Sequence, residues 1–264
     1  AAGLASSCLT TACWGAGWNA RTVRVQKSRP AHDAIITFVP AAMFLQCFRY
    51  MFRYVMEVMY DGTCFHGSQI QGDLPTVQLA VNNVLSTLLR TEVVSFGASR
   101  TDEGVHALCN YYHFDHDAEL RPDFLYKCNA ILPQSMAVKR ICKAAAPGFN
   151  ARFDARERSY RYRIYRHKDP FLVNRAFYFP FPLREDVLNE TAAIVKATTQ
   201  FESFAKRNSQ VKTMNCTIHE SRWEHVGNEL HYVVVGNRFL RGMVRGLVGT
   251  QLHIARGNKT PADF

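Results

Sequence analysis

This chain of 264 residues is short of three things: long apolar runs, paired cysteines, and acid near its start. No stretch of eighteen or more apolar residues runs free of charge, so nothing in it reads as a membrane-spanning helix. The eight cysteines (Cys8, Cys13, Cys47, Cys64, Cys109, Cys128, Cys142 and Cys216) contain no C-x-x-C pair, which argues against a structural zinc site and against a disulfide framework. Free, mostly buried thiols of a cytoplasmic protein are the simplest account. A G-x-S-x-G elbow, a P-loop and an H-E-x-x-H helix are missing too, so hydrolase and NTPase readings lack support.

Residues 1–53 hold six Arg or Lys against Asp33 alone, and so carry +5 of the formal net charge of +10. The charge suggests a polyanionic partner, but the remaining body is only mildly basic. With 47% hydrophobic and 20% charged residues, the composition is that of a soluble globular protein, long enough for one large domain or two small ones. Residues 1–50 differ from the rest, being rich in Ala, Gly, Ser and Thr and poor in acid. A transit peptide would share that bias, but Trp14, Trp18 and three cysteines fit it poorly. The expectation is a disordered or extraneous extension over 1–50, an N-terminal half over 51–150 and a C-terminal half over 151–264.

Alternation predicts strands over 51–60, 92–96, 108–114 and 136–144, and a pair over 213–224 and 229–236 joined at Gly227-Asn228. Helical spacing predicts helices over 76–90, with Thr76 as N-cap, and over 121–132, 184–199 and 238–256. Gly242, Gly246 and Gly249 weaken the last of these by nearly 1 kcal/mol each, a cost that close packing against another element would explain. His113, Asp115, His116 and Asp117 crowd one strand end, but alternate residues there lie roughly 6 to 7 Å apart, too far to close on one ion. No metal site is expected.

The densest chemistry lies in Gly97-Ala-Ser-Arg100-Thr-Asp102-Glu-Gly104-Val-His106-Ala107, between two of these strands. A plain hairpin turn needs glycine or asparagine, not an arginine, two acids and a histidine. Asp102, two residues from Arg100, would stay ionised beside that cation and suit a nucleophile or base; a salt-bridged structural loop fits as well. A second stretch, Arg158-Ser-Tyr160-Arg-Tyr162-Arg-Ile-Tyr165, puts Tyr160, Tyr162 and Ile164 on one face and Arg161, Arg163 and Tyr165 on the other. That basic face would suit phosphates, or would simply be solvated.

Ser99-Arg-Thr-Asp-Glu-Gly-Val-His-Ala107 resembles the Gly-Arg-Thr-Asp-x-Gly-Val-His signature of the TruA family of tRNA pseudouridine synthases. Tyr60-Asp-Gly…Gly67-Ser68-Gln69 is similar to the family's Tyr-Asp-Gly…Gly-Trp-Gln, with Ser68 in place of tryptophan. Ala151-Arg-Phe153…Arg158-Ser-Tyr160-Arg-Tyr162, Phe201-Glu-Ser-Phe204-Ala-Lys206-Arg207 and Asn237-Arg-Phe239…Met243-Val244-Arg245…Gly249 follow in the family's order. The resemblance implies that Asp102 is the catalytic nucleophile, that Tyr160 lines the uracil pocket, and that Arg245 pairs with Asp102. Arg100 and His106 become candidates for supporting the aspartate or the RNA. It further implies an α+β pseudouridine synthase fold of two related RRM- or ferredoxin-like halves, sharing an antiparallel-rich mixed sheet with a central cleft. The implied reaction isomerises uridine to pseudouridine in the 3′ side of the tRNA anticodon stem-loop (positions 38, 39 and 40), in a cytoplasmic homodimer needing no cofactor. The match covers about residues 51–264, without counterpart to the family's final helix and strand. The alternative is a noncatalytic RRM-like RNA-binding module, whose fingerprint would be exposed aromatics on central strands without a required carboxylate.

Overall fold

The strand β1 (Phe52–Tyr60) sets the plan of the first half. Its alternate residues Tyr54, Met56, Val58 and Tyr60 are buried, as a one-sided strand requires. In this computed structural model the described residues are 51–146, 148–205 and 213–264. The extension expected over 1–50 lies outside them, as do Lys206 and Arg207.

Onto the buried face of β1 pack α1 (Val77–Leu89), through Val77, Val81, Val84 and Leu85, and α2 (Phe124–Ile131), through Phe124 and Cys128. Each such side chain removed from water contributes about 1.5–3 kcal/mol. Thr76 caps α1, its hydroxyl accepting from the Leu79 N–H at 3.4 Å. With β2 (Phe96–Gly97), β3 (Ala107–His116) and β4 (Met136–Lys143), β1 forms an antiparallel sheet in the order β2-β3-β1-β4. Element order and sheet order together are those of a ferredoxin-like β-α-β-β-α-β unit. The strand expected over 92–96 contributes only Phe96 and Gly97 to the ladder. Upstream, Val93 and Ser95 are buried and bond to the Ser86 and Asn82 side chains of α1, which takes that stretch out of the sheet.

The second half runs β5 (Arg158–Tyr165), β6 (Phe177–Tyr178), α3 (Glu185–Ala197), β7 (Ile218–Val226), β8 (Glu229–Gly236) and α4 (Met243–Ala255). Its sheet order is β6-β5-β8-β7, antiparallel except for the parallel pair β5–β6. Leaving β6 aside, it repeats the first plan, with β5, β7 and β8 standing where β1, β2 and β3 stand. Val187, Leu188 and Val195 of α3 meet Leu247, Val248 and Leu252 of α4 over Ile164, Tyr232 and Val234. The helix α4 begins five residues later than its apolar pattern suggests, because Gly242 takes a left-handed backbone (φ 76°) that ends any helix upstream of it. Of its glycines, Gly246 packs closely, against Phe204, whereas Gly249 faces open space.

The α+β class and the two related halves are as expected. The sheet, however, is not one continuous ladder: two four-stranded sheets meet at a seam. On its β6 side, β5 is laddered at Ile164 and Tyr165, and among the described residues the run Arg158–Arg163 has no strand partner there. Arg158 bridges instead, donating to the Ala98 carbonyl of the first half at 3.2 Å and to the Arg152 and Asn237 carbonyls at 2.8 Å. A second tie runs from the Ala151 N–H to His113 Nδ1, at 3.1 Å.

Candidate active site

The loop 98–106 leaves the sheet beside a register shift between Val58 and Tyr60 on β1, the kind of bulge that re-aims a chain. It is held by buried polar side chains. The Thr101 N–H donates to Ser68 Oγ at 2.7 Å, and the Ser68 N–H returns a bond to the Thr101 carbonyl at 3.0 Å. The Tyr60 hydroxyl meets Thr101 Oγ1 at 2.9 Å, and the Asn110 amide brackets Ser99, accepting from its N–H and donating to its carbonyl. Ser68 and Asn110 are almost fully buried. Buried polar groups persist when their hydrogen bonds are complete, and here they fix the loop's shape. Motif reading assigned none of the three to the loop. The one signal was a polar residue, Asn110, between Leu108-Cys109 and Tyr111-Tyr112 in the apolar first half of β3.

Asp102 projects from this loop and accepts from Arg245 Nη2 at 2.5 Å, across 143 positions of sequence. Arg245 lies in the first turn of α4. The Arg245 side chain is 65% exposed and that of Asp102 38%, so the pair contributes little to stability. It fixes where the carboxylate points and supplies positive charge beside it. Arg100 does not fill that role. It makes no ion pair with Asp102, and lost solvation and then the charges of Arg152 and Arg241 press its guanidinium below its ordinary range.

Tyr160, on β5, packs edge-on against Phe239 at 5.1 Å between ring centroids. Burial pushes its phenol above the ordinary range, with the Tyr60 phenol and the Asp102 carboxylate adding to the effect and Ser99 bonding the hydroxyl. A neutral ring therefore stands beside the carboxylate. His106 makes no bond to Asp102. Its Nε2–H donates to the Asn174 carbonyl at 2.7 Å, while Nδ1 faces the Gly62 N–H at 3.2 Å and the Asp61 carboxylate at 3.0 Å. It braces the loop between the turn after β1 and the segment before β6.

The basic face expected on β5 is not free for phosphates. Arg163 forks onto Glu229 at 2.6 and 2.7 Å, and Arg161 lies 3.8 Å from Glu224. Cross-strand glutamates neutralise both. At the strand end once weighed for metal, Asp115 takes both arms of Arg53 at 2.6 and 2.7 Å, and His113 is occupied by Ala151. Among the described residues no three His, Cys, Asp or Glu side chains are placed to hold a metal ion, and no helix is long and apolar enough to cross a membrane.

The family profile described as tRNA pseudouridine synthase matches residues 198–264. Proteins named tRNA pseudouridine synthase A are similar over most of the chain. The one from Parabacteroides distasonis is 38% identical over 217 residues, 81% of this chain and 85% of that protein. That from Bacillus licheniformis is 35% identical over 219 residues, covering 80% and 87%. That from Staphylococcus saprophyticus is 33% identical over 214 residues, covering 80% of each.

Proposed function

The chain belongs to the TruA family of tRNA pseudouridine synthases, and on that premise we propose that it converts uridine to pseudouridine in the 3′ side of the tRNA anticodon stem-loop, with Asp102 as the reacting carboxylate. The observation that carries the reading is the Asp102–Arg245 pair, which joins residues from two separate family motifs in one ion pair. A noncatalytic RNA module has no use for a half-exposed carboxylate held on a polar-braced loop.

The chemistry is an isomerisation. Asp102 attacks C1′ of the ribose or removes a ribose proton; either way the N1–C1′ bond breaks and the uracil stays in the cleft. The base turns and C5 bonds to C1′ as the Asp102–C1′ bond breaks or, on the second route, as the ribose proton returns; the C5 proton leaves to solvent and N1 takes up a proton. Atoms and electrons balance without an oxidant, reductant or metal. Arg245 holds the carboxylate in line, the neutral Tyr160 ring offers the base a face to lie on, and Arg100 stands ready for the RNA strand. His106 supports the loop from behind. By the same family reading the enzyme works as a homodimer in the cytoplasm, on tRNA, without a cofactor.

The test is release of tritium from tRNA labelled at uridine C5, prepared from cells lacking their own enzyme. Release with one pseudouridine formed per tritium is the expected result. Tight tRNA binding with no release would leave the binding-module reading in its place.

A further inference from the structure

A cavity of about 390 Å³ lies on the other flank of the signature loop, lined by Ser68, Gln78, Phe96, Arg100, Arg152 and Phe153 among others. Neither Asp102, Tyr160 nor Arg245 lines it. Its size is that of small-ligand sites, roughly 300–1,000 Å³. Ser68, standing where the family motif carries tryptophan, puts a small side chain at its wall.

Three features of the cavity share one explanation. First, it gathers positive charge without a neutralising acid: Arg100 and Arg152 both line it, and among the described residues no carboxylate pairs with either. Second, Phe153 is 77% exposed and Phe96 53% exposed at its rim. Third, the loop that offers Phe153 is rigidly tied. The Arg152 and Phe153 N–H groups both donate to Asn150 Oδ1, Asp154 accepts from the Asn150 N–H, and Arg158 grips the Arg152 carbonyl. Buried Ala151 anchors the same loop to His113. A solvent-facing aromatic ring normally sits on a mobile tip; the backbone of this one is held in place, and the Arg152 guanidinium lies over its ring, 5.6 Å from the centroid.

We infer that this cavity is a second nucleotide subsite, which takes one unpaired nucleotide of the RNA strand bound at Asp102, with its base stacked on Phe153 and its phosphate held by Arg100 and Arg152. Every base has a π face, so a ring of this kind binds without demanding sequence, and guanidinium groups match phosphate oxygens. The inference rests on the RNA-modifying reading above. Two binding points on either side of Ser99–Arg100 would hold the strand taut across the loop and present the target residue to Asp102.

The experiment compares the parent enzyme with Phe153→Ala, Phe153→Trp and Arg152→Ala, using tRNA transcripts that carry one abasic nucleotide at each anticodon-loop position in turn. Affinity is read by fluorescence anisotropy, apart from turnover. Phe153→Ala should raise Kd and KM about tenfold with kcat at saturating tRNA kept within about twofold, and Phe153→Trp should keep the parent affinity. Arg152→Ala should lower the slope of log affinity against log salt by about one. At one loop position the abasic transcript should already show the loss, and Phe153→Ala should add nothing further there. An unchanged Kd in Phe153→Ala, or an undiminished penalty at every abasic position, would overturn the subsite. Tritium release decides the function separately, so an inactive parent enzyme that still shows the abasic pattern would refute the activity and keep the subsite.

Discussion

The two halves use the same connection in opposite ways. Between β2 and β3 the chain takes residues 98–106, while between the equivalent strands β7 and β8 it takes only Gly227 and Asn228. The short version is a hairpin turn, with nothing beyond what the backbone requires. The long one carries Asp102 and needs Ser68, Tyr60 and Asn110 to hold it. A second contrast sits at the sheet edge. The strand β1 is flanked by the eight-residue β4, whereas β5 is flanked by β6 over two residues. Tyr160 lies in the part of β5 that pairs with β8 alone, so the candidate site gathers where the β6 side of the ladder stops.

Four changes test that division of labour. Asp102→Asn should be the largest, lowering tritium release on the order of 10³-fold or more while tRNA affinity stays within a few fold. Release above a tenth of the parent rate would mean that the long loop is not the reacting element. Arg245→Ala should cost on the order of 10²-fold in kcat with little change in melting temperature, because an exposed pair adds at most about 1 kcal/mol of stability. A variant that melts early and keeps its rate would reverse the assignment and make the pair a structural tie between halves. Arg158→Ala attacks the seam itself. Losing its bonds to Ala98, Arg152 and Asn237 should cost about 2 kcal/mol, a fall of about 4–8 °C in melting temperature, and Lys should not restore it because its single ammonium cannot fork. Unchanged melting would show that the seam is held elsewhere.

The smallest effect concerns the other tie across the seam. Burial, and then the charge of Arg53, hold the His113 imidazole below its ordinary range, with Asp115 offsetting part of that. The unfolded chain therefore binds this proton more readily than the folded one. Stability contributed by neutral His113 should be full above about pH 6.5 and decline as pH falls toward the lowered folded value. Asp115 and Glu229, held below the carboxylate range by Arg53 and Arg163, lose their contribution only at still lower pH. Melting curves from pH 8 to pH 5 should show the first slope in the parent and not in His113→Asn. Equal slopes would remove His113 from the seam.

Much of this was legible in the residues. Strands β1 and β4 and helices α1 and α3 announce themselves through periodicity, because each buries one face on a core of its own half, whereas β8 is buried on both faces and reads as an apolar run. Asp102 was legible too, since its motif is local. Arg161 and Arg163 misled, because the glutamates that neutralise them arrive from β7 and β8, about sixty residues downstream. Arg100 misled for a related reason: nearness in sequence suggested a partner for Asp102, but the carboxylate pairs with Arg245 instead. The arginine that does pair with it could be named only through family resemblance, as spacing says nothing across 143 positions. Ser68 was silent because a buried hydrogen bond leaves no period.

Two glycines flank the central ion pair. Gly104 follows Asp102 by two positions and Gly242 precedes Arg245 by three, and both sit at φ 76° with open space where a side chain would project. Crowding is thus not what keeps them glycine; handedness is. An L-alanine at either place would meet its own backbone and strain the turn that delivers one charge to the other. A D-alanine, introduced by chemical ligation, is at home at that angle and leaves the unfolded chain fewer shapes to explore. The mirror-image residue should therefore preserve the pair and raise the melting temperature where the natural enantiomer lowers it. The meeting of Asp102 and Arg245 is, in this sense, a stereochemical property of two backbone positions that carry no side chain at all.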